Sequence, residues 1–293
     1  MKQRTIKKAV EVVGIGLHKG VPVKLRLEPL EEDMGIVFYR SDKGVSIPLS
    51  KDYVVDTQMA TVLGKDGVVI STIEHLMSAI TAFGIDNLRI VLDNDETPIM
   101  DGSAISFCLL LKEAGIAEQS KNKKFLKIKK EVVVELDDKM AKITPNDTTS
   151  YAFEINFPHP AIGRQYYKFN FSTKNYIEEI AKARTFGFLK EIQYLRSKGL
   201  ALGGSLENAI VLDDKKILNE NLRYNDEFVR HKILDAIGDM RLLGYNFIGS
   251  YEAVASGHHL NHLLTKAILA DANNYELVEI PTTAKEFSIA TSY

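Results

Sequence analysis

The chain has 293 residues, of which 45% are hydrophobic and 26% are charged, a composition typical of a globular protein with ample material for hydrophobic cores. Its length favours two domains over one, and its formal net charge of −2 gives no global preference for nucleic acid. The one cysteine, Cys108, excludes an internal disulfide and a multi-thiolate zinc site, which suits a reducing compartment.

The N-terminal stretch does not have the pattern of a secretory signal. MKQRTIKKAVEVVGIGLHKG begins with basic residues, but Glu11 interrupts its apolar run and glycines follow. No stretch approaches the roughly 18 apolar residues that a membrane-spanning helix needs. We therefore expect a soluble, cytoplasmic protein; the oligomeric state is left open, with a monomer favoured.

Short β-branched runs alternate with helical patterns, which indicates an α+β or α/β class. In chain order, the first half is predicted to form two strands, a helix, a third strand and a second helix, at 21–30, 35–40, 71–84, 87–94 and 103–115. Ser71 or Thr72 is the expected N-cap of the first helix, and Gly84 is its expected end. The charged stretch EQSKNKK that follows, at 118–124, is the expected linker.

The second half echoes this order. A helix at 226–244 is followed by a strand at 245–255 and by a second helix after a small-residue loop, at 256–269. No residue-level repeat accompanies the echo, so it is a hint of duplicated architecture. If the two halves pair with pseudo-symmetry, His75 and His231 come together on comparable helices.

The stretch RHKILDAIGD raises the question of a metal site. Residues four apart lie on one face of a helix, so His231, Asp235 and Asp239 form one stripe. His231 and Asp235 could bind one ion, with His75 as the natural third ligand, since a catalytic zinc site usually takes three protein ligands. A single His/Asp pair at this spacing is more often a surface ion pair, so a solvated face remains open.

Two further groups could move protons. Glu74 precedes His75 and would lie beside the ion without binding it, although a Glu-His pair alone carries little information and no H-E-x-x-H signature is present. His258 follows Ser-Gly at a predicted loop-to-helix junction, and Asp239 is the expected partner that raises its pKa. Ordinary polar capping of the helix is the alternative.

Residues 184–212 form an apolar segment interrupted by glycines, which could enclose a long alkyl chain. Its apolar members are Phe186, Phe188, Ile192, Leu195, Leu200, Ala201 and Leu202. Such a pattern is more often a small helix-and-strand unit that packs on the core. The Gly203-Gly204 pair is not a phosphate-binding loop, because the lysine and hydroxyl residue that should follow are missing.

The motifs together resemble one known family. The chain carries, in order between about residues 3 and 270, GIGLHKG, DTQMATVL, STIEHL, GIDN, TPIMDGSA, RTFGF, GLALGGS, DEFVRHKILDAIGD and SGHHLN. This series is similar to that of the zinc-dependent UDP-3-O-acyl-N-acetylglucosamine deacetylases of lipid A biosynthesis. EFVRHKILDAIGD and TIEHL together are its most specific members.

The resemblance implies an α+β fold of two similar domains, each a β-sheet layered on helices, with a small insert in each domain and the active site between them. The expected boundaries are an N-terminal domain at 1–120 with a β insert at about 36–60, a linker at 121–126, and a C-terminal domain at 127–293 with a β-α-β insert at about 186–212.

The resemblance also implies a ligand set and a proton-transfer pair. His75, His231 and Asp235 would bind one Zn²⁺ per chain, although a site of two histidines and one aspartate also suits Fe²⁺. Glu74 corresponds to the family's general base, and His258 corresponds to its general acid.

Three further positions match the family in residue type. Asp239 would support the acid, Thr185 would contact the reacting carbonyl, and Lys232 would face the phosphate side of the substrate. His259 departs from the pattern, because a small residue is common there; the register of SGHHLN selects His258 as the acid.

The implied activity is hydrolysis of the N-acetyl group of UDP-3-O-acyl-N-acetylglucosamine, with release of acetate, as the committed step of lipid A biosynthesis in a Gram-negative cell near its inner membrane. The expected partner is this small molecule and not a nucleic acid. The expected substrate contacts are Leu17, His18, Met59, Phe186, Ile192, Leu195, Ala201, Leu202 and Gly204. The alternatives are another zinc amidohydrolase or a non-catalytic protein that binds nucleotide sugars.

Overall fold

A computed structural model describes residues 1–280, and the elements named here lie in that range. The strands are β1 (Lys2–Ile6), β2 (Val10–Ile15), β3 (Pro22–Pro29), β4 (Ile36–Arg40), β5 (Val45–Pro48), β6 (Val54–Asp56), β7 (Val62–Lys65), β8 (Val68–Ile70), β9 (Leu88–Leu92), β10 (Ile116–Asn122), β11 (Lys124–Ile128), β12 (Val132–Leu136), β13 (Lys139–Thr144), β14 (Thr149–Phe157), β15 (Gly163–Asn170), β16 (Phe186–Phe188), β17 (Ile210–Leu212), β18 (Phe247–Val254) and β19 (Tyr275–Glu279). The α-helices are α1 (Glu74–Ala82), α2 (Ile105–Ala114), α3 (Thr173–Asn175), α4 (Leu189–Ser197), α5 (Glu227–Asp239) and α6 (His258–Ala270). Short 3₁₀ or π-helical turns lie at Lys51–Tyr53, Tyr176–Ile180, Met240–Leu243 and Ala272–Asn274. This mixture of sheets and helices confirms the predicted α+β class.

The first half is built on a five-stranded sheet in the order β2-β3-β9-β4-β5. Its strands are antiparallel except for the parallel pair of β4 and β9. Val23, Leu25 and Leu27 alternate with more exposed residues along β3, as expected for a strand with one covered face. Helix α2 packs against β2 and α1, so both helices of this half belong to one core with the sheet.

The second half is built on a seven-stranded sheet centred on β18. This strand is antiparallel to β13 and parallel to β14 and β11, and β15 extends the sheet beyond β14. Helix α5 packs against β14 and β15, while α6 packs against β12 and β13. The two halves therefore repeat the same layered scheme of a sheet with helices.

The halves meet where α1 packs against α5. Gly238 of α5 lies so close to α1 that a Cβ atom on it would approach the carbonyl oxygen of Glu74 to 2.0 Å. Only a residue without a side chain allows backbones to approach in this way. The close crossing brings His75 of α1 beside His231 of α5, with their ring centroids 4.9 Å apart.

The far end of α1 is capped by side chains of the second half and by Lys123, which lies between β10 and β11. The carbonyl oxygens of Thr81, Ala82, Gly84 and Ile85 accept hydrogen bonds at 3.1, 2.6, 2.8 and 3.0 Å. The respective donors are Asn246, Thr173, Lys123 and Arg241. The bond to Ala82 satisfies a carbonyl of the last helical turn. Thr81 also accepts from the Gly84 N–H at 3.0 Å, and the bonds to Gly84 and Ile85 hold the turn that follows the helix.

The predicted N-cap of α1 is wrong. The helix begins at Glu74 after Ile73, and no side chain caps it. Thr72 adopts a left-handed conformation with φ 58°, and its hydroxyl donates to Glu96 at 3.0 Å. The carboxylate of Glu96 therefore takes the hydroxyl that the cap would have used. The predicted end is confirmed, because Gly84 has φ 63°.

Two predicted segments differ from the structure in detail. A separate three-stranded sheet, β6-β7-β8, lies at 54–70, whereas the residues at 36–48 pair into the main sheet as β4 and β5. The charged stretch 118–124 is strand over most of its length, because β10 pairs with β1 before β11 starts. The domain boundaries themselves remain a prediction, and the end of the predicted C-terminal domain, 281–293, lies outside the described residues.

A β-α-β unit at 186–212 consists of the parallel strands β16 and β17 joined by α4. Its connecting loop is fastened to the first half, since the backbone N–H groups of Leu202 and Gly203 donate to the carbonyls of His18 and Leu17 at 2.9 and 3.0 Å. A Cβ atom on Gly203 would lie 2.2 Å from the Gly16 carbonyl. Similarly, a Cβ on Gly102 would lie 2.0 Å from the carbonyl of Asn208. The unit thus touches the first half through glycine-dependent contacts.

No helix among residues 1–280 is long and apolar enough to cross a membrane.

Candidate active site

Three potential metal ligands converge where α1 crosses α5. The Nε2 atoms of His75 and His231 lie 3.4 and 3.3 Å from Oδ1 of Asp235. One ligand atom from each residue lies within 4.8 Å of the others, and all three side chains are buried. Asp235 Oδ1 itself has no hydrogen-bond donor within the described chain. A buried carboxylate oxygen without a donor is costly, so the three donor atoms fit a shared cation.

At His231 and Asp235 the surroundings favour the protonation states that a metal needs. Burial opposes the charged form of His75, but Asp235 and Glu74 outweigh it and raise the pKa of His75, so a metal would have to displace a proton there. Burial lowers the pKa of His231 to about 4, which leaves the imidazole neutral near pH 7. Burial opposes ionisation of Asp235, but His231, His75 and Lys232 outweigh it, so the pKa of Asp235 lies well below its usual range. His231 Nδ1 lies 3.0 Å from the carbonyl oxygen of Ala183. A donated proton at Nδ1 would leave Nε2 free as the ligand atom.

A second buried cluster lies beside the first. His258 Nδ1 is 2.8 Å from Asp239 Oδ2, and its Nε2 is 3.8 Å from Glu74 Oε1. Asp239 therefore orients the imidazole whose other nitrogen faces Glu74. His258 is the first residue of α6, at the predicted loop-to-helix junction. The predicted helical stripe of α5 thus serves two clusters, with His231 and Asp235 in one and Asp239 in the other.

The electrostatics of this cluster suit proton transfer. Burial raises the pKa of Glu74, and the negative charges of Asp239 and Asp235 act in the same direction. Burial opposes the charged form of His258, but the carboxylates of Asp239 and Glu74 outweigh it and raise the pKa of His258 to about 10. Glu74 is therefore a better proton acceptor than an exposed carboxylate, and His258 holds a proton near neutral pH.

Two cavities, of about 820 and 40 Å³, meet at the clusters. Both are lined by Met59, Thr185, His231, Asp235 and His258. Phe186 and Lys232 line only the larger one, whereas Leu17, His18, Glu74 and His75 line only the smaller one. Lys232 Nζ lies 3.6 Å from Asp235 Oδ2. The larger volume is of the size that binds small molecules.

Five of the predicted substrate contacts lie outside the lining of both cavities. They are Ile192, Leu195, Ala201, Leu202 and Gly204, all in the β-α-β unit or its loop. Ile192 packs beside Gly187 in the same unit, and Leu202 is 51% exposed. The unit reaches the larger cavity through Phe186, Gly187, Phe188 and Glu191.

Several site residues escaped the sequence analysis. Thr61 is buried and contacts both Glu74 and Asp239. Asn261 donates from Nδ2 to Asp239 Oδ2 at 2.8 Å. It follows His258 by three residues on one helix, a spacing that could have indicated a shared face. Thr61 lies in the stretch DTQMATVL, but no local pattern links that stretch to helices α1 and α5.

The segment before β16 is held by another buried contact that the sequence did not reveal. The guanidinium and backbone N–H of Arg184 donate to Glu227, which is fully buried at the start of α5. Arg184 stands between Ala183, whose carbonyl contacts His231, and Thr185, which lines both cavities. The ion pair fixes both neighbours relative to α5.

Comparison with known proteins shows similarity to one family over nearly the whole chain. A family model described as UDP-3-O-acyl N-acetylglycosamine deacetylase matches residues 3–270. A protein of Nautilia profundicola is 75% identical over 286 residues, covering 98% of this chain and 97% of its own length. A protein of Aliarcobacter butzleri is 64% identical over 291 residues, with coverages of 99% and 97%. One of Wolinella succinogenes is 61% identical over 294 residues, with coverages of 100% and 99%. All three carry the name UDP-3-O-acyl-N-acetylglucosamine deacetylase.

Proposed function

Since the chain belongs to the UDP-3-O-acyl N-acetylglycosamine deacetylase family, we propose that it hydrolyses the N-acetyl group of UDP-3-O-acyl-N-acetylglucosamine and releases acetate and the free amine. The observation that carries the proposal is the convergence of His75, His231 and Asp235 around a buried, unpartnered carboxylate oxygen. We also propose that this step commits the substrate to lipid A and takes place in the cytoplasm near the inner membrane.

The cofactor in this proposal is one Zn²⁺ per chain, held by His75, His231 and Asp235. Two imidazole nitrogens and one carboxylate oxygen are common donors for catalytic zinc, and Fe²⁺ accepts the same set. When bound, such an ion acts as a Lewis acid that polarises a carbonyl and makes water more acidic. The low pKa of His231 and the ionised state of Asp235 leave a lone pair on the imidazole and one on the carboxylate available to the metal.

Glu74 is the general base in this mechanism. Its burial raises its pKa, so it takes a proton from the water that attacks the acetamide carbon. Thr185, which lines both cavities, would donate its hydroxyl to the oxygen on which negative charge develops.

His258 is the general acid. It holds a proton because Asp239 and Glu74 raise its pKa to about 10. As the carbon–nitrogen bond breaks, that proton passes to the leaving nitrogen, and acetate remains. Lys232 lines the larger cavity and would offer a positive charge to the diphosphate of the substrate.

Two variants test the metal and base assignments. We expect Glu74→Gln to keep about one metal ion per chain and to lose about 10²- to 10⁴-fold in kcat, because it removes the base and leaves the ligands. His231→Ala should lose both metal and turnover. The measurements are metal analysis by mass spectrometry and release of acetate from the acylated substrate. Wild-type turnover by Glu74→Gln would exclude it as the base; a wild-type protein that binds no metal would overturn the proposed chemistry.

The acyl chain would follow the apolar β-α-β unit, in which Leu200, Leu202 and Leu206 are exposed. We expect Ile192→Lys and Leu202→Lys to raise KM for the acylated substrate about tenfold or more, since a charge in an apolar path loses the burial of several methylene groups. Turnover of the matching substrate without the acyl chain is the control. Equal effects on both substrates, or none on either, would reject this path.

A further inference from the structure

Glu74, His258, Asp239 and Thr61 form a closed ring of polar contacts. Each carboxylate turns one oxygen to His258 and the other to Thr61. Glu74 Oε1 and Asp239 Oδ2 lie 3.8 and 2.8 Å from the two nitrogens of His258. Glu74 Oε2 accepts from the backbone N–H of Thr61 at 3.1 Å, and Asp239 Oδ1 accepts from the Thr61 hydroxyl at 2.6 Å. Thr61 therefore links the same two carboxylates as the imidazole of His258, through their other oxygens.

The ring offsets the cost of burying two carboxylates close together. Glu74 on α1 and Asp239 on α5 are both buried, with one oxygen of each within 4.8 Å of the other. Two carboxylates at this separation repel each other, and each loses hydration on burial. Donors placed between them offset both costs. Thr61 is 1% exposed and supplies two donors from one residue, one from the backbone and one from the side chain.

The Thr61 hydroxyl has no substitute at its acceptor. Among residues 1–280, Asn261 and His258 both contact Oδ2 of Asp239, whereas the Thr61 hydroxyl is the one donor to Oδ1. Without that bond, the Asp239 carboxylate is held through Oδ2 alone, and the orientation of His258 relative to Glu74 is less tightly fixed. Thr61 directly precedes β7, which begins at Val62. Its hydroxyl therefore links the first half to Asp239, the last residue of α5.

We propose that Thr61 is a positioning residue, whose hydroxyl fixes Asp239 and thereby the alignment of His258 with Glu74 for proton transfer. The inference rests on the proposed function, since it assumes the acid and base roles of His258 and Glu74. It assigns Thr61 no contact with substrate or metal. The backbone N–H holds Glu74 whatever the side chain, so a side-chain variant isolates the bond to Asp239.

The test compares Thr61→Val, Thr61→Ser and Thr173→Val in the full metal-loaded chain. Thr61→Val removes the hydroxyl and keeps the shape. We expect kcat to fall about 10- to 100-fold, the effect of one hydrogen bond to a charged group, with KM and metal content nearly unchanged. Thr61→Ser should restore kcat. Thr173→Val is the matched control, because Thr173 is also buried and its hydroxyl donates to the Ala82 carbonyl at 2.6 Å, outside the site. This variant should keep the wild-type kcat, while its thermal stability should fall about as much as that of Thr61→Val.

A readout that does not depend on turnover is the imidazole proton of His258 in ¹⁵N-histidine-labelled protein, identified by its loss in His258→Ala. Thr61→Val should shift this resonance, and Thr61→Ser should restore its wild-type chemical shift. Wild-type kcat with an unshifted resonance in Thr61→Val would overturn the proposal, as would metal loss or a Thr61→Ser variant as impaired as the valine. If the wild type fails to deacetylate the substrate, the proposed function fails, while the resonance still reports whether Thr61 positions the ring.

Discussion

The two ends of helix α1 both bury charged groups against the second half, yet they differ in what the charges do. At the N-terminal end, Glu74 and His75 meet acidic and imidazole groups of α5 and α6 around a cavity. At the C-terminal end, Lys123 and Arg241 are 1% and 2% exposed and donate to the carbonyls that follow the helix. Cations at the end of a helix also complement its dipole.

The difference shows that burial of charge alone does not identify an active site. At the C-terminal end, Lys123 has both the Gly84 carbonyl and the Asp86 carboxylate as partners at 2.8 Å. At the N-terminal end, three ligand atoms of different residues converge on one point, and Asp235 Oδ1 lacks a donor within the described chain. Unpartnered polar atoms alone do not separate the two ends, because Thr81 Oγ1 and Arg241 Nε also lack partners within residues 1–280. What marks the functional end is the convergence of lone pairs from three potential metal ligands.

The largest expected effect lies at the functional end. His258→Ala should lower kcat about 10²- to 10³-fold, the usual contribution of a general acid. In the wild type, activity should fall as pH rises through about 10, where His258 loses the proton it must donate. The variant should lack this basic limb, whereas His259→Ala should retain it. A pH profile of kcat/KM is the measurement; an unchanged limb in His258→Ala, with an inactive His259→Ala, would move the acid role to His259.

An intermediate effect is expected at the structural end and concerns stability. Burial lowers the pKa of Lys123 to about 8 from its usual 10.5. Between these values, the unfolded chain binds a proton that the folded chain has released, so the free energy of unfolding rises with pH. We expect the free energy of unfolding to rise by about 3 kcal/mol between these two pH values. Lys123→Met should lack this rise. Urea unfolding at several pH values measures it, with the exposed neighbour variant Lys124→Met as control. Equal pH slopes in all three proteins would contradict the assignment.

The smallest effect comes from the crossing that separates the two ends. Gly238→Ala places a Cβ 2.0 Å from the Glu74 carbonyl, so α1 and α5 must move apart. We expect a loss of about 1 to 3 kcal/mol in unfolding free energy and a lower kcat, because Glu74 itself is displaced. Gly257→Ala, where the space within 4 Å is open, is the control for stability. An unchanged Tm in Gly238→Ala would show that the helices are not held at this distance.

Much of the geometry of the candidate site could be predicted because it follows local periodicity. The spacing of His231 and Asp235 places both on one face of α5, and the echo between the halves paired His75 with His231. Both predictions needed only helix geometry and the order of elements. The family resemblance then added roles for Glu74 and His258, and the structure brings these two side chains within 3.8 Å of each other.

The rest could not be predicted, because it depends on contacts between residues far apart in sequence. Thr61 reaches Asp239 across 178 positions, and Arg184 reaches Glu227 across 43. The N-cap of α1 failed for the same reason, since Glu96 takes the hydroxyl of Thr72. Local sequence carries no signal of such a competing partner. The substrate path remains a prediction: Phe186 and Phe188 of the β-α-β unit line the larger cavity, whereas Ile192, Leu195, Ala201, Leu202 and Gly204 do not.

The glycine contacts of the β-α-β unit have a consequence for building chimaeras. Exchanging residues 186–212 with those of a relative transfers only one side of two interfaces. The Gly203 backbone is fitted to the Gly16 carbonyl, and the Asn208 carbonyl is fitted to Gly102. The modular piece is therefore discontinuous in sequence, and a successful graft would carry the loops around residues 16–20 and 101–104 from the same donor.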